Sequence, residues 1–455
     1  MAGSLFPEHS ANRLRVSGYR FMLRRMAHAL VRGDVRMVDD PLRAQSLSLA
    51  AGCVLAAIAV AVCVVLAFLQ PRGHVGDAAI VMVRESAALY VRIGDTMHPT
   101  FNLASARLIT GVAGEPELVS TSALDRAKRG PLVGIPGAPS TIGAPLGAGE
   151  STWTVCEDSV ERTTVLVGHS PVHLDSGRNV LVTPRGESAA TTYLVYDGRR
   201  ARVDLRNHAA IRALKLDGVA PRPVSRALLD TLPEAPEITA PVITAGGVSP
   251  SALPGFPVGA VVRLARVESA EYYVALEDGV QRVGEVAADL IRFTHPSRRD
   301  IGTVAPDLIG TVPIVDRLPV ATFPDRGDAA ESPVLCAQSE AVLIGESLWS
   351  GDDHVVQLAQ GDDAGPRVDS FAIPPGRSAF VRAASVSGEG AASGALFLVN
   401  EAGVLFGIRD TEAATRLGLT NPVPAPWALL AQLPRGPELS VEAASVGRDS
   451  VGPTS

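Results

Sequence analysis

"ALYVRIGDTMHPTFNLASARLI", residues 88–109, decides how the chain is read. An apolar, β-rich triplet runs into a turn at Gly94; a second short strand follows, then an Ala/Leu-rich helical turn. Asn102 stands where a helix N-cap belongs, since its side-chain oxygen can accept from the first unpaired backbone N–H groups. The same order returns in "TYLVYDGRRARVDLRNHAAIRAL" (192–214), "YYVALEDGVQRVGEVAADLIRF" (272–293) and "LFLVNEAGVLFGIRDTEAATRLGL" (396–419). Their turns fall at Gly198, Gly279 and Gly403, and Asn207 and Thr411 are the further N-cap candidates. The unit is strand–turn–strand–helix. It is too small to bury a core alone and must pack on something.

Working outward, the segments between these units also resemble each other. "LVGIPGAP" (132–139) leads to Cys156 and then "VLVG" (165–168), while "LIGTVP" (308–313) leads to Cys336 and then "VLIG" (342–345). The order is repeat, cysteine-bearing segment, repeat, and then the same again, which reads as a duplication. We therefore expect repeats at 78–111, 191–218, 271–293 and within 395–440, the last with a Pro-rich tail. Two halves, 112–190 and 294–394, form one β-rich central domain about a pseudo-twofold axis. A Pro-rich joint at 232–259 should be extended, and residues 441–455 are expected to be disordered.

"SLSLAAGCVLAAIAVAVCVVLAFL", within residues 46–69, carries no charge. About 23 residues at ~1.5 Å rise make roughly 35 Å of helix, enough to cross a ~30 Å hydrocarbon core. A cleaved signal peptide is the alternative, but it would begin within a few residues of Met1, and here a polar segment, 1–45, comes first. That segment carries Arg13, Arg15, Arg20, Arg24, Arg25, Arg32, Arg36 and Arg43, whereas the stretch after the span has only Arg72 and Arg84. The asymmetry predicts a cytoplasmic N-terminus and an extracytoplasmic bulk. Cys53 and Cys63 lie within the span as small apolar residues. Cys156 and Cys336 remain as an isolated pair in an oxidising compartment, which reads as one disulfide; two free buried thiols are the alternative.

The polar segment contains "VSGYRFMLRRMAHALVRGDVRMVDDPLR" (16–43). Val16, Tyr19, Leu23, Met26 and Leu30 step by three and four, one stripe on a helix, with Arg20, Arg24 and Arg25 off it and Gly33-Asp34 as the stop. Such a helix can lie on anionic lipid or dock on partner proteins. The aromatic, the hinge and the Asp-Asp-Pro stop favour docking.

The composition is 46% hydrophobic and 20% charged with net charge −7, which gives no general reason to expect a nucleic-acid partner. Chemistry is hard to find. There is no G-x-x-x-x-G-K-[ST] loop, nor any Gly-Lys pair. "SGEGAASGA" (387–395) is Gly-rich without a lysine. His169 and His173 have helical metal spacing, but Pro171 between them makes the stretch a loop or strand. No catalytic, cofactor or metal residues are assigned.

The opening stretch, the single span, "YVRIGDTMHPTFNLASARLITG", the outer cysteine pair and the tail "PAPWALLAQLPRGPELS" together resemble the EccB family, a membrane-core component of type VII (ESX) secretion. The resemblance covers almost the whole chain. It implies a membrane-anchored α+β protein with a single transmembrane helix and an elongated outer domain of four small repeats around a central core. It implies inner-membrane assembly with EccC-, EccD- and EccE-type components, homo-oligomerisation through the outer domain, and a structural role in secretion. Members of the family also carry an ATPase label, so nucleotide hydrolysis is the alternative; residues 16–30 would be the cytoplasmic docking element.

Overall fold

The computed structural model describes residues 8–33, 41–69, 75–169, 174–186, 191–244, 251–265, 270–294, 300–338, 341–346, 354–385 and 392–449. Parts of the Pro-rich joint, the second histidine of the His169/His173 pair and most of the Gly-rich run at 387–395 lie outside them. The chain forms two compact units, residues 1–74 and 75–455.

The first unit holds two helices, α1 (Glu8–Arg32) and α2 (Pro41–Leu69). Helix α1 ends at Gly33, whose φ of +67° suits a residue without a β-carbon and whose N–H caps Ala29 O at 2.9 Å. Helix α2 starts on proline, whose missing N–H costs nothing in a first turn. Its stretch Leu47–Leu66 is long and apolar enough to cross a membrane, and Cys53 and Cys63 are free thiols on it.

The second unit is built from one plan used four times. Repeat 1 runs β1 (Ile80–Val83), β2 (Leu89–Ile93), β3 (Thr96–Thr100), α3 (Leu103–Thr110), β4 (Glu117–Val119), α4 (Thr121–Leu124) and β5 (Lys128–Arg129). After it come β6 (Leu132–Val133), β7 (Ala144–Pro145), β8 (Trp153–Glu157), β9 (Thr163–Val167) and β10 (Asp175–Ser176). Repeat 2 is β11 (Val180–Pro184), β12 (Tyr193–Tyr196), β13 (Arg199–Arg202), α5 (His208–Ala213), β14 (Arg222–Val224), α6 (Arg226–Asp230) and β15 (Glu234–Ala235). Repeat 3 is β16 (Val261–Ala265), β17 (Ala270–Ala275), β18 (Val280–Val283), α7 (Glu285–Thr294), β19 (Gly302–Val304) and α8 (Pro306–Gly310). Then follow β20 (Val334–Gln338), β21 (Ala341–Gly345), β22 (Val356–Gln357) and β23 (Ser370–Ala372). Repeat 4 is β24 (Arg377–Ala384), β25 (Leu396–Val399), β26 (Leu405–Ile408), α9 (Thr411–Leu417), β27 (Val423–Pro426) and α10 (Trp427–Leu430); α11 (Val441–Ala444) and β28 (Gly447–Arg448) close the described chain.

In each repeat three antiparallel strands form a meander, the longer helix crosses over, and a fourth strand returns parallel to the first. That crossover is what a parallel pair requires. A short second helix follows, and the chain then pairs in parallel with the third strand: β5 on β3, β15 on β13, Ile314 on Val280, Arg435 on Leu405. The strand–turn–strand–helix unit expected from sequence is thus the middle of a larger module. The first strands β11 and β24 and the fourth strands β4 and β19 lie wholly or largely in spans assigned above to the central domain. The first strands carry buried apolar side chains on both faces, as a core strand does, and the fourth strands are three or four residues long, too short for a period to show.

Two further expectations change. The N-cap of α9 is Asp410, which accepts from Ala413 N at 2.8 Å, and Thr411 is the first helical residue. Asn102 and Asn207 do cap their helices. Residues 441–449 are ordered: Ser440 caps α11, Ala444 is fully buried, and β28 pairs with β6 at the edge of the repeat-1 sheet. Of the four turn glycines, Gly94, Gly198 and Gly403 have positive φ. At Gly279 the requirement is space instead, since a β-carbon would collide with the Pro313 carbonyl.

The central sheet has the order β10-β21-β20-β8-β9-β23-β22. Its hairpins β8–β9 and β20–β21 meet through the antiparallel pair β8·β20, where Cys156 faces Cys336. The symmetry is inexact further out, because β10 joins β21 antiparallel while β23 joins β9 parallel. One large core joins this sheet to the faces of repeats 2 and 4, with Val155, Val182, Leu228, Phe371, Val381 and Leu429 all 0% exposed. The other face of repeat 4 packs on repeat 1 through Leu108, Leu398 and Leu417. The other face of repeat 2 packs on repeat 3 through Leu194, Leu214 and Leu290. The unit is therefore a stack in the order 1, 4, centre, 2, 3.

Candidate assembly surfaces

A helix exposes apolar residues in water only if something else covers them, so α1 is the first place to look. Val16, Tyr19, Leu23, Met26 and Leu30 lie on one face and are all exposed, from 49% at Leu23 to 86% at Leu30. Arg20 and Arg24 are also exposed, on the adjoining face. Phe21 and Met22 are apolar and exposed off the stripe, so the apolar surface is wider than the five residues alone. His28 is buried on the side away from the stripe.

The cysteines belong to the other unit. Cys156 and Cys336 form a disulfide between paired strands, both fully buried in a small cluster with Leu166, Val334 and Ala372. The bond lies where the two halves of the central sheet meet.

The residue after Cys156 was not singled out by its sequence, yet it holds the most deeply buried acid. Glu157 is 0% exposed; its Oε2 accepts from Arg185 Nη2 at 2.9 Å and its Oε1 from Ser225 N at 2.6 Å. Burial pushes its carboxyl above the ordinary value, against the pull of Ser225, Arg185 and Arg222. Arg222 donates to the carbonyls of Glu157, Asp158, Ser332 and Pro333 at 2.6–3.2 Å. A buried acid with a raised pKa can mark a general acid. Here both oxygens are occupied by protein donors, so it joins the end of β8 to the N-terminus of α6. The sequence signal for it is the acid directly after the core cysteine; its partners are distant in the chain.

Nucleotide chemistry finds little to use among the described residues. The sequence has two lysines, Lys128 and Lys215. Lys128 is exposed on β5, and Lys215 is ion-paired with Glu285 at 3.1 Å. No group of three or more metal-ligating side chains is found there. His169 has its Nδ1 beside Val167 O at 3.2 Å. A groove of about 1130 Å³ lies beside the edge of β18 and is lined by residues of both charge signs, Arg282, Asp316 and Asp325 among them.

A helix long and apolar enough to cross a membrane, an exposed apolar face on α1 and a stack of strand-pairing modules are the parts of a membrane-anchored scaffold. Comparison with known proteins gives the class a family. The model of the type VII secretion system ESX-1 transport TM domain B matches residues 9–453, so the chain belongs to the EccB family. It is 36% identical to the ESX-3 secretion system ATPase EccB3 of Mycolicibacterium smegmatis, over 96% of this chain and 91% of that protein. It is also 36% identical to the ESX-2 secretion system ATPase EccB2 of Mycobacterium tuberculosis, over 98% and 96%. Among solved structures it resembles a chain of an intact ESX-5 inner membrane complex (31% identity, TM-score 0.67, 100% of this chain and 98% of that one). It likewise resembles the EccB3 dimer of the ESX-3 core complex (32%, TM-score 0.66, 81% and 100%).

Proposed function

We propose that this chain is a structural component of a type VII secretion complex of the inner membrane. In this reading α2 anchors it, α1 docks on EccC-, EccD- or EccE-type components in the cytoplasm, and the repeat stack meets its own copies and partners on the extracytoplasmic side. The observation that carries the reading is the membership itself, together with an exposed apolar stripe on α1 that a lone chain has no reason to keep. The arginine excess before α2 supports the orientation. A role in nucleotide hydrolysis has the relatives' names in its favour. Against it stand the missing phosphate loop, the ion-paired lysine, and the scarcity of ATP outside the membrane.

Two measurements test this. Purification of the full chain from membranes in mild detergent should bring EccC-, EccD- and EccE-type proteins with it, identified by mass; recovery of the chain alone would refute the assembly role. For orientation, Cys53 and Cys63 are replaced by serine and single cysteines introduced at the exposed positions Ser17 and Ser122 in turn. An impermeant thiol reagent should label intact cells at 122 and leave 17 untouched; the reverse pattern inverts the topology.

A further inference from the structure

The four repeats allow a comparison within one chain. Counting from the N-cap of each second helix (Ser120, Ser225, Ala305, Pro426), an aliphatic residue stands thirteen positions on in every repeat: Val133, Ile238, Leu318 and Leu439. In three of them that residue seals the outer edge of the third strand. Val133 pairs with Thr100, Ile238 N donates to Arg202 O at 3.0 Å, and Leu439 N donates to Gly407 O at 2.7 Å. In repeat 4 the seal continues, with Arg409 N donating to Leu439 O at 3.1 Å.

Repeat 3 begins the same way. Val280 N donates to Pro313 O and Val315 N to Val280 O, as Leu405 does with Pro434 and Gly436. Then it departs. The Gln281 side chain intercepts the returning segment, its Oε1 accepting from Arg317 N and Leu318 N at 2.7 Å and its Nε2 donating to Leu318 O at 3.0 Å. Residues on one strand point their backbone groups to alternate sides, so Arg282 presents the same outer edge as Val280. Among the described residues its outward carbonyl and the Gly284 N–H have no backbone partner. The groove of about 1130 Å³ lies along this edge. Repeat 3 ends the stack, and the repeat at the other end, repeat 1, has its edge closed by β6 and β28.

We propose that this open edge of β18 receives an extended segment of another extracytoplasmic protein, added as a parallel strand with an aliphatic residue at its centre and a basic residue just before it. An unpaired strand edge is a template for such addition. The aliphatic requirement comes from the three sealed repeats. The basic one comes from charge: in repeat 4 the residue before Leu439, Glu438, meets Arg409 at 3.2 Å. At the matching place in repeat 3 stands Asp325, its carboxylate and backbone both close against Gly284 and its carbonyl accepting from Glu285 N at 2.9 Å, with Asp316 further along the groove. Neither acid has an ion-pair partner among the described residues, although Asp316 Oδ1 accepts from Gln281 Nε2 at 2.9 Å.

The probe is a fluorescent hexapeptide copying Gly436–Val441 with lysine at the Glu438 position, titrated by anisotropy into the full chain in detergent. Saturable binding is expected. It should weaken at least tenfold in Ala321→Trp, which fills the groove from an exposed position, and at least threefold when the peptide keeps its glutamate. Circular dichroism and thermal melts confirm that the variant folds. Absence of saturable binding, or binding indifferent to Ala321→Trp, overturns the site; equal binding of both peptides overturns the basic requirement. A photoreactive phenylalanine at position 321 in cells identifies the source, and adducts formed only between copies of this chain, or only within one copy, overturn a separate partner.

Discussion

Glu157 shows how a single residue can look functional and act as a joint. Because burial raises its carboxyl, the native state binds that proton more tightly than the unfolded chain does. The cost of burying the charge is therefore present above the raised value and fades as pH falls through it toward the ordinary value near 4.5. Glu157→Gln keeps the shape and removes the titration. As pH falls from neutral toward that ordinary value, the parent should gain stability relative to the Gln variant in thermal melts, whichever of the two melts higher at neutral pH; a relative loss by the parent would contradict the sign. Glu157→Ala is the harsher change. It leaves Ser225 N without its acceptor in a buried place and removes one partner of Arg185, which keeps Gly365 O and Glu161, and should cost about 3 kcal/mol in denaturant melts.

At the scale of elements, α1 and the repeats were legible to different degrees. The five residues of the α1 stripe follow from spacing alone, and so does the end at Gly33. Leu23→Asp puts a charge in the middle of that stripe. It should leave the melting of the second unit unchanged and abolish co-purification with the membrane partners; retained partners would rule the stripe out as a docking face. In the repeats, the middle strands and the longer helix carried their own signals: alternating apolar residues, Gly turns and Asn caps. The parallel strand did not, because three residues such as Glu117–Val119 show no period. A positional signal was present all the same. Val119, Val224, Val304 and Ala425, each followed by an N-cap and, five residues on, by Leu124, Leu229, Ile309 and Leu430, mark the strand and its second helix, and all eight are buried. Such a signal becomes visible only when the four segments are laid beside one another. The open edge at Arg282 was beyond reach, since it depends on where one glutamine side chain turns.

For the molecule as a whole, the disulfide ties the two halves where they meet. Cys336→Ser should lower stability by about 2–5 kcal/mol in denaturant melts, the usual cost of losing a native bridge; an unchanged midpoint would mean that the sheet pairing alone holds the halves. The order of the stack has a consequence in time. Repeats 2 and 3 are neighbours in the chain and can dock as soon as both are made. Repeat 1 is synthesised first, yet its inner face waits for repeat 4 and its sheet edge for β28. Repeat 4 begins roughly 250 residues after repeat 1 ends; at ~5–20 residues per second that is a delay of about 12–50 s. Through that interval Leu108 and its neighbours are exposed on a nascent chain, where chaperones and proteases act. Pulse-labelled chains should therefore be cut within repeat 1 until residues 436–449 emerge, and become resistant there last, although that repeat came first.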